Sequence, residues 1–98
     1  MRHATRAALD RIERLLESLR ALEILREKKR GAFYRGSSAF LHFHEDPAGI
    51  FADVKLAGSE FTRLRATTGA EQRRLLSAVR RALAAARAPR SPAAGRRT

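Results

Sequence analysis

The residues best equipped for chemistry lie in FLHFHEDPAGIFADV, residues 40–54, which holds His42, His44, Glu45, Asp46 and Asp53. Two histidines separated by one residue on a strand project from the same face, roughly 6–7 Å apart. Metal sites use that spacing, and an acid on the neighbouring strand, here Asp53, is a candidate third ligand. His3 is the only other histidine and lies near the N-terminal end, and strand alternation turns Glu45 to the opposite face. Two imidazoles and one carboxylate fall short of a closed ligand shell, so neither a metal nor a cofactor is expected. The alternative reading of the same residues is a half-exposed sheet face on which His42 and Asp53 form a cross-strand pair.

Other polar residues of the segment have ordinary local roles. Asp46 before Pro47 is turn chemistry, as are Ser37 and Ser38. No nucleophile-elbow motif accompanies the serines, and Gly31, Gly36 and Gly49 stand singly, so there is no glycine-rich phosphate loop. No acid, base and electrophile set converges, and the chain is not expected to be an enzyme.

Positioning these side chains requires a hairpin. With DPAG as its loop, Glu45 faces Ile50, Phe43 faces Ala52 and Leu41 faces Val54, while His44 faces Phe51, His42 faces Asp53 and Phe40 faces Lys55. One face is then almost wholly apolar and the other polar and aromatic. A one-residue slip would mix them, so this register is strongly specified. Further strands are expected at AFYR (32–35) and FTRLRA (61–66), separated by turn compositions GSS and AGSE.

Helices are expected at both ends. Over residues 5–29, Leu9, Ile12, Leu15, Leu16, Leu19 and Leu22 recur at three- and four-residue spacing, with Gly31 as the stop. Thr68 and Glu71 have capping-box spacing, and Leu75, Leu76, Val79, Ala82, Leu83 and Ala86 form the stripe that follows. The expected fold class is therefore α+β: an N-terminal helix, a four-stranded antiparallel meander and a C-terminal helix, packed in two layers. A single domain spans 1–87, and APRSPAAGRRT, residues 88–98, reads as a disordered basic tail.

The segment FYRGSSAFLHFHEDPAGIFADV resembles one in small, uncharacterised bacterial α+β proteins of GC-rich genomes, to which no function is attached. The helix–meander–helix order is similar to that of the small α+β proteins grouped as YjbR-like. That resemblance implies the fold, and some members are described as DNA-binding.

Charge is the main indication of a partner. Residues 1–60 carry eleven Lys/Arg against nine Asp/Glu, whereas residues 61–98 carry ten Arg against one acid, Glu71. A one-signed surface concentrates polyanions and speeds encounter with them. Arg63, Arg65, Arg73, Arg74, Arg80, Arg81 and Arg87 are the candidate phosphate contacts, making nucleic acid, DNA or RNA, the first candidate partner. A homodimer is the second. On the expected sheet, Phe33, Phe40 and Phe51 share the face turned away from the helices, and an apolar patch of that kind suits an interface. The chain has no cysteine and no run near the ~18–20 apolar residues of a membrane span. No membrane partner is expected, and a cytoplasmic location fits.

Overall fold

A computed structural model of the chain describes residues 1–87; the expected basic tail lies outside the described residues. The fold is α+β, and its sheet is antiparallel. In chain order the elements are β1 (Arg2–His3), α1 (Arg6–Arg11), α2 (Glu13–Arg20), β2 (Arg26–Lys29), β3 (Ala32–Arg35), β4 (Ser38–Asp46), β5 (Gly49–Val54), β6 (Thr62–Arg65) and α3 (Gly69–Arg87). Strands β2 to β6 follow one another in sheet order, and β1 pairs with β4. One edge of the nine-residue β4 is shared: β3 pairs along Ser38–Leu41, and β1 pairs beyond it at His44 and Glu45.

The sheet therefore has six strands among the described residues, not the four expected. The difference arises in the N-terminal third. The expected continuous helix stops at Arg20, and Arg26–Lys29 forms a strand. Arg30 and Gly31 make a two-residue loop into β3, with Lys29 opposite Ala32. Gly31 takes φ +81°, the left-handed geometry that such tight hairpin loops require. The helical stretch is also interrupted. Thr5 caps α1 by accepting the Ala8 amide, but Ile12 leaves the helical region at φ −116°, ψ 24° before α2 begins. The offset sinks Ile12 to 1% exposure among the core residues.

Ion pairs fasten α2 to the β2 edge. Arg20 donates to both Glu13 and Glu27, and Arg30 reaches Glu13 and Asp10. Glu27 also accepts the Gly31 amide at 2.9 Å, so one carboxylate holds both the helix and the hairpin loop. The paired arginines hold the Glu13 carboxyl below its ordinary range, Arg30 foremost and then Arg20.

The β4–β5 hairpin has the expected register, with Glu45 opposite Ile50, Phe43 opposite Ala52, Leu41 opposite Val54, His44 opposite Phe51 and His42 opposite Asp53. Leu41, Phe43, Ile50, Ala52 and Val54 are buried together with Leu15, Leu16 and Leu19 of α2 and Leu75, Val79 and Leu83 of α3. The capping box also forms: the Glu71 amide donates to Thr68 Oγ1 at 3.1 Å, and Glu71 Oε1 accepts the Thr68 amide at 3.0 Å.

Two of the three phenylalanines expected on the outer face belong to this core. Phe33 is 1% exposed and Phe40 4% exposed. Phe33 stands opposite Leu41, whose side chain points inward, so pairing carries Phe33 inward too. Phe40 is carried in by an irregularity in β4. Ala39 faces Tyr34 and Leu41 faces Phe33, which leaves Phe40 as an extra residue between them. A bulge of this kind breaks the two-residue alternation locally, and Phe40 and Leu41 are both buried. Truncating a buried phenylalanine costs about 3–5 kcal/mol, whereas surface substitutions usually stay within about 0.5 kcal/mol. Phe33→Ala and Phe40→Ala are therefore each expected to lower unfolding free energy in urea by about 3 kcal/mol or more.

Candidate functional site

On the other side of the β4–β5 hairpin, the pairing brings together the segment's histidines and acid. Alternation along β4 places His42 and His44 on one face, and the register sets Asp53 of β5 beside them. His44 Nε2 lies 3.2 Å from Asp53 Oδ2, and His42 Nε2 lies 3.6 Å from the same oxygen. The outermost strand supplies a cation. Arg63, opposite Asp53 in the β5–β6 pairing, donates from Nε to Oδ1 at 2.8 Å and from its terminal nitrogen to Oδ2 at 2.9 Å. This two-point pairing gives the buried carboxylate the hydrogen bonds that its desolvation demands.

The third histidine arrives from the chain's beginning. Strand β1 sets His3 opposite His44, with the two rings stacked at 5.0 Å between centroids. The His3 and His42 centroids are 6.3 Å apart, and those of His42 and His44 4.8 Å apart in an edge-on arrangement. All three histidines of the chain thus border Asp53 or one another. The sequence marked His42, His44 and Asp53 but set His3 aside as a terminal residue. Its inclusion depends on β1, whose two residues carry too little pattern to be recognised as a strand. A longer-range anchor holds that strand: Glu45 accepts the Thr5 amide, and the Ala4 amide donates to the Phe43 carbonyl at 3.1 Å.

Phe61 closes one side of the cluster, with its ring 4.9 Å from that of His42, edge-on, and Lys55 Nζ 5.2 Å from its centroid. It is 42% exposed, and the sequence pattern had not singled it out. Phe51 does lie on this face, half-buried under the Arg65 guanidinium at 5.2 Å. With Phe33 and Phe40 in the core, the apolar interface expected for a homodimer lacks two of its three rings on this surface.

The electrostatics of the cluster follow from its packing. Hydrogen bonds from Arg63 hold the Asp53 carboxyl below the ordinary carboxylate range, against the opposing effect of burial. Burial, then the neighbouring His44, pushes the His42 imidazole below its ordinary value, with Asp53 opposing. His42 is thereby biased toward neutrality, the form in which an imidazole can accept a hydrogen bond or ligate a metal.

The seven expected phosphate contacts do not form one set. Arg63 is tied to Asp53, and Arg65 donates to Glu71 Oε2 at 3.1 Å. Arg73, Arg74, Arg80 and Arg81 are exposed and form no ion pair with the described residues. They occupy the side of α3 opposite Leu75, Val79 and Leu83. Arg87 is the last residue of α3, and its side chain lies outside the described set. No described helix is long and apolar enough to cross a membrane.

No family model matches the chain, and no curated protein or solved structure matches it either.

The depressed His42 value links this cluster to stability. An unfolded chain takes up the imidazole proton near the ordinary value of about 6.5, whereas folded His42 takes it up only at lower pH. The contribution is complete above that ordinary value and is lost as pH falls through the folded one. In chelator-treated buffer, the urea midpoint should fall between about pH 7 and pH 5, and His42→Gln should remove that part of the decline. A separate decline below the carboxylate range, to which Asp53 contributes, should remain in that variant.

Proposed function

We propose that the protein is a small, non-enzymatic binding module that associates electrostatically with nucleic acid through the exposed arginine face of α3. In this reading the helices form one layer over the sheet, and α3 turns its cations away from it. The observation that carries the proposal is the state of Arg73, Arg74, Arg80 and Arg81. All four are exposed on one helix face, and none is neutralised by an acid of the described residues.

Their spacing supports a rod-like polyanion over a small ligand. Residues seven apart on a helix return to nearly the same side, about 10.5 Å along the axis. Arg73 and Arg80 form one such pair, and Arg74 and Arg81 form another. The result is two parallel rows of guanidinium groups along the exposed side of α3. Rows of cations spaced along a helix axis can follow a phosphate backbone. Guanidinium groups also bind phosphate oxygens bidentately. Arg63 and Arg65 contribute less in this reading, because Asp53 and Glu71 already take their hydrogen bonds. Contacts of this kind position a protein on a duplex without reading its bases, so binding should be indifferent to sequence.

The test is binding to fluorescent duplexes of unrelated sequence over a range of salt. Four phosphate contacts give a slope of log affinity against log salt of about −3.6, because each neutralised phosphate releases condensed counterions. Arg73→Glu combined with Arg80→Glu should weaken all duplexes alike and flatten the slope by about 1.8. The fold should persist, since both side chains are exposed. Absence of binding at low salt, or binding unchanged in the double variant, would overturn the proposal.

A further inference from the structure

The histidine cluster lies on the outer sheet face, and its geometry supports a ligand of a different kind. Four residues of three strands define it: His3 of β1, His42 and His44 of β4, and Asp53 of β5, with Arg63 behind the carboxylate. We propose that His3, His42, His44 and Asp53 form a four-ligand site for a divalent transition-metal ion of the zinc class, which pins β1 to the sheet.

The distances suit ligands of one tetrahedral ion. Ligand atoms about 2.0–2.1 Å from a tetrahedral ion lie roughly 3.3 Å from one another. His44 Nε2 and Asp53 Oδ2 are 3.2 Å apart, and His42 Nε2 and Asp53 Oδ2 are 3.6 Å apart. One ligand atom from each of His42, His44 and Asp53 lies within 4.8 Å of the others. Two imidazoles on one tetrahedral ion place their ring centres roughly 5 Å apart, given these bond lengths. The observed centroid separations are 4.8 Å for His42 and His44, and 5.0 Å for His3 and His44. The His3 and His42 rings are farther apart, at 6.3 Å. His3 is exposed, so rotation of its side chain can close that gap without disturbing the core.

The donor set specifies the class of ion. Three imidazoles and one carboxylate suit zinc and its neighbours in the transition series, whereas calcium and magnesium require shells built mainly of oxygen. The surroundings are also those of a metal site. Arg63 fixes the orientation of the Asp53 carboxylate through two hydrogen bonds, as outer partners of metal ligands do. Phe61 lies against His42 and shields one side from water. Four protein ligands fill a tetrahedral shell and leave no open position for substrate, so the role is structural. Its structural consequence falls on β1, a two-residue strand that the ion would fasten to β4 and β5.

The experiment uses the full chain without a polyhistidine tag. Zn2+ is titrated in competition with a chromophoric chelator, and Co2+ serves as a spectroscopic probe of geometry. One ion per chain is expected, with the intense visible absorption of tetrahedral Co2+. His3→Ala and His44→Ala should each weaken binding by about tenfold or more. Because His3 is exposed, His3→Ala should fold normally, as circular dichroism can verify, and it remains informative if His44→Ala does not fold. Zn2+ should also slow amide exchange at Ala4 and Thr5 in the wild type but not in His3→Ala. Failure to bind either ion, the weak absorption of octahedral Co2+, or wild-type affinity in His3→Ala would each overturn the proposal. Arg73→Glu should bind Zn2+ like the wild type, which separates this site from the nucleic-acid surface.

Discussion

The pairing of β4 with β5 is the constraint on which the rest of the molecule depends. Its register is held by the separation of two faces: Leu41, Phe43, Ile50, Ala52 and Val54 are buried, while His42, His44, Phe51 and Asp53 lie on the other side. Slipping the pairing by one residue would put the apolar set in water and place the histidines and Asp53 against α2 and α3. Both outcomes carry large penalties, one from lost hydrophobic burial and one from desolvated polar groups. The same register therefore gives the core its inner surface and brings two imidazoles to one carboxylate.

From that hairpin the chain builds outward by neutralising the charges it must bury or crowd. Asp53 is the buried charged residue of the described chain, and Arg63 on the adjacent strand satisfies both its oxygens. Glu71 serves the start of α3 in the same way, accepting the Thr67 and Thr68 amides through one oxygen and Arg65 through the other. At the opposite edge, Arg20 and Arg30 are divided among Asp10, Glu13 and Glu27. Acids are thus concentrated where elements must be joined. The arginines on the outside of α3 have no such task among the described residues.

The two proposed sites draw on opposite properties of the surface. The α3 face has exposed guanidinium groups, which would give affinity without selectivity. The cluster of His3, His42, His44 and Asp53 has directional donors, which would give selectivity for an ion. Each is built from different elements, α3 in one case and β1, β4 and β5 in the other.

Local pattern was sufficient for those elements whose residues agree among themselves. The β4–β5 hairpin repeats its segregation over several cross-strand pairs, and α3 combines a capping box with an apolar stripe, so both were legible in the sequence. So was the juxtaposition of His42, His44 and Asp53, since it follows from alternation and register alone. The N-terminal third was not. Arg26–Lys29 consists of residues that favour a helix, yet it forms β2 because the sheet edge supplies hydrogen bonds and Glu27 reaches Arg20 and the Gly31 amide. Alternation alone puts Phe33 and Phe40 on the outer face because it assumes an unbroken ladder, and the extra residue at Phe40 appears only once β3 and β4 pair. His3 joined the cluster for a related reason. A two-residue strand has no periodicity to read, and only the free stretch of β4 beyond β3 gives it a partner. Sequence determined what could be settled between neighbours in the chain; contacts between distant segments decided where local propensity was weak or opposed.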